Sequence, residues 1–173
     1  MLPLARAILP TARIIAPRGL IDQSGERRWF RKLTPTSFEQ ESILAEAPFF
    51  SRFLDGLAKR EQLDEASTLF LGYSNGGNLL HSTMLLHPGR IRRAALLRCM
   101  PVLSRAPATD VSGSQLVVLA GDADQTYGPH SSRLVTLLRR RGAGVRSRTV
   151  KAGHIFGDQD AAEIRAWLKT IDL

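Results

Sequence analysis

The stretch LFLGYSNGGNLL, residues 69–80, joins two apolar runs through a short cluster of small residues. The first run predicts a buried strand over 67–73, and the second predicts a helix over 75–87 that ends before a Pro-Gly pair. The residues between them fit the pattern G-x-S-x-G, in which a serine stands on a sharp turn from a strand into a helix. The stretch therefore predicts a strand–turn–helix unit with Ser74 at its tip.

Gly72 and Gly76 occupy the two glycine positions of this pattern, one on each side of Ser74. We expect a strained backbone at the serine and close chain contacts at both glycines, where a side chain would collide. The serine hydroxyl would then project beside the first N–H groups of the helix, which favour negative charge. Two alternatives for this turn are a plain helix N-cap and a phosphate-binding loop, but the Lys-Ser or Lys-Thr pair of the latter is absent.

Helices and strands alternate over most of the 173 residues, and several predicted strands are continuous apolar runs. Continuous runs are typical of parallel strands with both faces covered, so we expect one α/β domain over 1–173, with a mostly parallel sheet flanked by helices on both faces. Residues 19–37 and 99–114 are predicted loops, and Pro48 predicts a kink or break in its helix. The predicted helices span 2–9, 38–60, 75–87, 130–141 and 159–171, and the predicted strands span 12–17, 67–73, 93–98, 115–121 and 145–150.

Candidate partners for the serine follow the last two predicted strands. A serine hydroxyl needs a base, and the base needs an orienting group. Asp122 and Asp124 follow the strand over 115–121, and His154 follows the strand over 145–150. Carboxyl ends of parallel strands share one edge, so we expect these residues to meet Ser74, with either aspartate as the acid. The remaining histidines lie within helices or at helix ends: His81, His87 and His130.

Composition narrows the function classes. The net charge of +8 would suit an acidic partner, but the arginines are scattered and no aromatic residues interleave with them, so we expect no nucleic-acid partner. We also expect no membrane span, because no apolar run is long enough. The single cysteine, Cys99, is predicted to be a buried structural residue, and its being alone fits a reducing, cytoplasmic setting. Residues 1–19 resemble a transit peptide only weakly, because three prolines interrupt them.

The chain resembles the α/β-hydrolase superfamily, and within it the carboxylesterase/phospholipase group related to dienelactone hydrolases. GYSNGGN at 72–78 is similar to the group's nucleophile turn, LAGDADQTYGP at 119–129 to its G-x-x-D acid loop, and AGH at 152–154 to its histidine loop. The resemblance covers almost the whole chain. It implies a catalytic triad of Ser74, Asp124 and His154, with the backbone N–H of Asn75 as an oxyanion donor.

The resemblance also implies an activity: hydrolysis of carboxylic esters through an acyl-enzyme, without a metal or organic cofactor. Short loops predict a small or accessible ester substrate. Trp29, Phe30 and Met100 are candidate walls of its pocket.

One part of the family pattern is missing. The pattern normally begins with a strand and a His-Gly-Gly loop that supplies a second oxyanion donor, and this sequence begins after that point, so we expect the natural protein to be longer. The strand at 12–17 would then pair directly with the strand at 67–73, accept a strand from another chain, or leave an edge free for self-association. A catalytically weak or silent relative that acts as a binding or interaction protein is the alternative function.

Overall fold

Helices and strands both occur along residues 1–64 and 67–171, which are the residues that the structure, a computed structural model, describes. The helices are α1 (Leu2–Ile8), α2 (Gln40–Glu61), α3 (Asn75–Leu86), α4 (Gly128–Arg140) and α5 (Asp158–Leu168). The strands are β1 (Ile21–Gln23), β2 (Glu26–Arg28), β3 (Lys32–Thr34), β4 (Ser37–Phe38), β5 (Phe70–Tyr73), β6 (Arg93–Leu97), β7 (Gln115–Gly121) and β8 (Gly144–Val150).

A four-stranded parallel sheet with the order β5-β6-β7-β8 forms the centre of the fold. The register pairs Phe70 with Ala94, and Arg93 with Gln115. Strand β7 pairs with β8 along its full length. Because all four strands run the same way, the loops that follow β5, β7 and β8 meet at one edge of the sheet. The predicted parallel sheet is confirmed.

Helices cover both faces of this sheet, as predicted. Neighbouring side chains of a strand point to opposite faces, so Ala94 and Leu96 join one apolar cluster while Ala95 and Leu97 join the other. Helices α2, α3 and α4 contribute to the first cluster, and α1 and α5 contribute to the second. Residues of β6 and β7 are almost fully buried, which explains their continuous apolar sequence.

Residues 12–17 do not form the predicted strand. They have no ladder partner, and a strand needs a neighbour to satisfy its backbone groups. Within residues 1–64 and 67–171, β5 pairs with β6 alone, so the sheet keeps a free edge on this side. A cleft of about 1210 Å³ separates that edge from residues 12–19 and extends to Ser74. Apolar side chains form much of its wall: Ile14, Ile15, Phe50, Phe53, Leu57 and Leu71.

Two other sequence predictions differ from the structure. The loop predicted over 19–37 contains two small hairpins, β1–β2 and β3–β4. Ser24 and Gly25, in the turn of the first hairpin, both have positive φ. A tight hairpin turn needs positive φ for its own twist to match that of the two strands. Helix α2 runs through Pro48 without a break.

Candidate active site

The backbone of Ser74 is strained, as the sequence predicts. Its φ is +52° and its ψ is −118°, at the point where β5 ends and α3 begins. Two backbone hydrogen bonds hold this turn: the Ser74 N–H donates to the Leu97 carbonyl at 2.8 Å, and the Asn78 N–H donates to the Ser74 carbonyl at 2.9 Å. A conformation that costs about 1–3 kcal/mol is thereby kept by its surroundings.

The backbones of β5 and α3 approach each other closely at Gly72 and Gly77. A Cβ atom on Gly72 would lie 2.6 Å from the Gly77 Cα atom, and one on Gly77 would lie 2.2 Å from the Cys99 sulfur. Gly76 is different, because the nearest atom to its Cβ would be Nε1 of Trp29, at an ordinary 3.7 Å. The prediction that Gly76 is needed for space is therefore wrong, and the following residue carries that constraint.

Ser74, His154 and Asp124 form one line of hydrogen bonds. The Ser74 Oγ atom lies 3.0 Å from Nε2 of His154, and Nδ1 of His154 lies 2.8 Å from Oδ2 of Asp124. With the imidazole proton on Nδ1, His154 donates to the carboxylate and its Nε2 accepts from the serine hydroxyl. The Asp124 side chain is 1% exposed and that of His154 is 38% exposed, so the line runs from the interior towards solvent.

The two aspartates after β7 have different partners. Oδ1 of Asp124 accepts hydrogen bonds from the backbone N–H groups of Thr126 and Tyr127, at 3.1 and 3.0 Å. Burial opposes ionisation of this carboxyl, yet these N–H groups and His154 hold the pKa of Asp124 below its usual value. Oδ1 of Asp122, which is exposed, accepts instead the N–H of Ala152. The structure thus brings Asp124, and not Asp122, into contact with His154.

Two tyrosines that the sequence analysis did not single out flank the imidazole of His154. The ring centroid of Tyr127 is 5.1 Å from that of His154, with the planes at 85°, and the ring of Tyr73 is 5.2 Å away at 44°. Burial raises the pKa of the Tyr127 phenol, and the nearby side chain of Ser74 partly opposes this shift. No recognisable sequence motif marks a tyrosine three residues after the acid, so only the fold shows that Tyr127 lies beside His154.

Asn75 is the first residue of α3, where backbone N–H groups lack a partner within the helix. Its side chain is used differently, because Oδ1 accepts the Trp29 N–H at 2.7 Å and so ties the β2–β3 connection to the turn. Trp29 lines the cleft beside Ser74. Phe30 and Met100 are 0% and 5% exposed and belong to the core, so their predicted place in a pocket wall is wrong.

Cys99 lies buried behind the turn, as predicted. The residue is 2% exposed, and burial raises the pKa of its thiol far above the usual value. A thiol that remains protonated is a poor nucleophile, which leaves Ser74 as the candidate nucleophile of the turn. The described part of the chain has no cluster of three metal-ligating side chains. None of its helices combines the length and hydropathy needed to cross a membrane.

Several known proteins are similar to this chain. A carboxylesterase crystal structure from Mesorhizobium loti is 54% identical, with a TM-score of 0.94 over 96% of this chain and 80% of that one. The Bacillus cereus carboxylesterase is 25% identical, with a TM-score of 0.91 over 98% of this chain and 80% of that one. MhqD of Bacillus subtilis (strain 168), named as a hydrolase, is 26% identical over 98% of this chain and 85% of its own length. No protein-family model matches.

Proposed function

This chain belongs to the carboxylesterases of the α/β-hydrolase fold, and from that premise we propose that it is a serine esterase in which Ser74 is the nucleophile, His154 the general base and Asp124 the orienting acid. The observation that carries the proposal is the unbroken line of hydrogen bonds from Asp124 through His154 to Ser74. The substrate is a small-molecule carboxylic ester.

Acylation begins with the Ser74 hydroxyl. Oγ attacks the ester carbonyl carbon while Nε2 of His154, 3.0 Å away, takes the hydroxyl proton. The resulting imidazolium is stabilised by the Asp124 carboxylate, which accepts the hydrogen bond from the Nδ1–H. When the tetrahedral intermediate collapses, the bond to the alcohol breaks and His154 returns the proton to the leaving oxygen. An acyl-Ser74 ester and a free alcohol result.

Deacylation repeats the same steps with water. His154 removes a proton from a water molecule as its oxygen attacks the acyl carbonyl, and the proton then passes to Oγ of Ser74 as the carboxylic acid leaves. No external oxidant, metal or organic cofactor enters either step. His154, with its partly exposed side chain, is accessible to the water and to the departing alcohol.

The oxyanion that forms in both steps needs hydrogen-bond donors. We assign one donor to the backbone N–H of Asn75, which stands at the start of α3 beside the nucleophile. One such donor is worth roughly 100- to 1000-fold in rate. A site with Asn75 as its only donor would therefore be a slow esterase, and each additional donor would increase its rate by a similar factor.

The test measures turnover of p-nitrophenyl acetate and butyrate, together with labelling by a fluorophosphonate probe. We expect the wild type to be labelled and to turn over both esters, and we expect Ser74→Ala to do neither. Asp124→Asn should lower kcat by about 10⁴-fold, because the neutral amide no longer holds the required tautomer of His154.

Asp122→Asn is the matched control, since Asp122 lies in the same loop and contacts the backbone of Ala152 rather than the imidazole. It should keep kcat within about threefold of wild type, because the amide oxygen of asparagine can still accept the Ala152 N–H and no contact with His154 is lost. Equal labelling of wild type and Ser74→Ala would contradict the assigned nucleophile, and a larger loss in Asp122→Asn than in Asp124→Asn would contradict the assigned acid.

A further inference from the structure

Arg98 follows β6 and combines two costly features. Its side chain is fully buried, and its φ is +50°, in the left-handed region that side chains seldom adopt. A buried charge is tolerated only when it is paired and its hydrogen bonds are satisfied, and such a backbone conformation persists only when neighbouring groups hold it. Arg98 lies one strand away from Ser74, outside the line of hydrogen bonds described above.

The guanidinium group of Arg98 makes contacts in three directions. Its two terminal nitrogens donate to the two carboxylate oxygens of Asp160, at 2.8 and 3.0 Å. Asp160 belongs to the first turn of α5 and also accepts the Gly157 N–H at 2.9 Å. One terminal nitrogen reaches the Leu119 carbonyl of β7 at 3.3 Å. The group therefore joins α5 to the middle of the sheet.

The third direction is the loop that carries His154. Nε of Arg98 donates to the Gly153 carbonyl at 2.9 Å, and a terminal nitrogen donates to the Ile155 carbonyl at 3.4 Å. These two carbonyls belong to the residues immediately before and after His154. The guanidinium thus holds the backbone on both sides of the imidazole.

Side-chain packing supports this loop only in part: the rings of Tyr73 and Tyr127 contact His154, and Phe156 packs against Tyr73. Ile155 is 77% exposed and the side chain of His154 is 38% exposed. On the other side of the loop, the Ala152 N–H donates to the side chain of Asp122. Since a loop at the surface is mobile unless its backbone is held, the contacts of Arg98 have a direct effect on where Nε2 of His154 lies.

We propose that Arg98, oriented by Asp160, is a positioning residue for His154: it fixes the backbone on both sides of the imidazole so that Nε2 faces Ser74. The proposal rests on the proposed function for the role of His154. An arginine suits this task because its planar group offers five donors in fixed directions, whereas a lysine offers one nitrogen that cannot reach Asp160 and both carbonyls together.

The first test does not depend on activity. NMR spectra of protein labelled at its histidines should show one narrow set of ring signals for His154 in the wild type. Arg98→Lys should broaden or split that set, while the signals of His87, at the far end of α3, stay as they are. A single unchanged set for His154 in a folded Arg98→Lys variant would overturn the proposal, whether or not the protein is an esterase.

The second test compares kcat with KM for an ester that the wild type hydrolyses. Arg98→Lys should lower kcat by roughly 100-fold, the effect of a displacement of about 1 Å, and change KM by less than about twofold. Leu138→Ala, a core substitution in α4 remote from the loop, is the control for lost stability. It should lower the melting temperature and leave kcat unchanged when assayed below that temperature.

A paired variant separates positioning from stability. Arg98→Met/Asp160→Asn removes both buried charges and keeps an oxygen for the Gly157 N–H, so it should melt at a higher temperature than Arg98→Met alone. We expect its kcat to stay at least about 30-fold below wild type, because the carbonyls beside His154 still lack donors. Recovery of wild-type kcat together with stability would overturn the proposal and leave Arg98 a purely structural role.

Discussion

Tyr127 touches every member of the proposed triad. Its backbone N–H donates to Asp124, its ring packs edge-on against His154, and its phenol is close enough to Ser74 for that side chain to affect its pKa. Burial raises the pKa of the phenol, so the hydroxyl remains protonated. We predict that it donates to Oγ of Ser74 while that atom donates to the imidazole. A hydroxyl so placed would hold the serine side chain in the rotamer that faces His154.

Removal of that hydroxyl gives a prediction at the scale of a single residue. Tyr127→Phe keeps the ring against His154 and removes the predicted donor to Ser74, so we expect kcat to fall about tenfold, as for one ordinary hydrogen bond. Tyr73→Phe is the matched control, because Tyr73 also packs against His154 and lies at the end of β5. Its kcat should stay within about twofold of wild type. Equal losses in the two variants would contradict a special role for the Tyr127 hydroxyl.

At the scale of elements, the contact between β5 and α3 brings two glycines together. The Gly72 carbonyl would lie 2.9 Å from a Cβ on Gly77, and the Cys99 sulfur would lie nearer still. Helix α3 therefore starts almost against the strand, and this tight turn places Asn75 directly beside Ser74. The turn requires a glycine at position 77 because there is no room for a side chain, and not because glycine is flexible.

Gly77→Ala should therefore lower the free energy of unfolding by about 1–3 kcal/mol, the usual cost of forcing extra atoms into a packed site. Gly76→Ala, one residue earlier in the same helix, meets only Trp29 at an ordinary distance and should change that free energy by no more than about 1 kcal/mol. Urea unfolding of the two variants beside wild type measures both values. A larger loss in Gly76→Ala would show that Gly76, the motif glycine, and not Gly77 allows α3 to approach β5 so closely.

At the scale of the whole molecule, the sequence predicted the elements whose signals are local or strongly patterned. Apolar runs identified β6 and β7, and the glycine-flanked Ser74 identified the turn. The order of Ser74, Asp124 and His154 along parallel strands predicted that they meet. In contrast, residues 12–17 have the composition of a strand, but pairing depends on a neighbour that sequence patterning does not reveal. The roles of Arg98 and Tyr127 likewise depend on contacts between distant segments.

Stability of the whole molecule should depend on pH through His81, a histidine in the buried helix α3. The residue is 1% exposed, and its Nε2 lies 2.9 Å from the Met100 carbonyl. Burial lowers the pKa of His81 from 6.5 to about 4, although the hydrogen bond to Met100 opposes this shift. The unfolded chain therefore binds a proton at a higher pH than the folded chain does. The stabilisation is complete above about pH 6.5 and is lost as pH falls towards 4.

Urea unfolding at pH 7.5, 6.5, 5.5 and 4.5 measures this dependence. His81→Gln keeps a donor for the Met100 carbonyl but cannot take up a proton, so its free energy of unfolding should fall less steeply than that of wild type. The difference in slope should be largest near pH 5, where it approaches the limit of about 1.4 kcal/mol per pH unit for one proton, and should be about half of that at pH 6.5. Met84→Leu, a neutral change in the same helix, should keep the wild-type slope. Parallel curves for wild type and His81→Gln would mean that the buried imidazole takes up its proton as readily in the folded protein as in the unfolded chain.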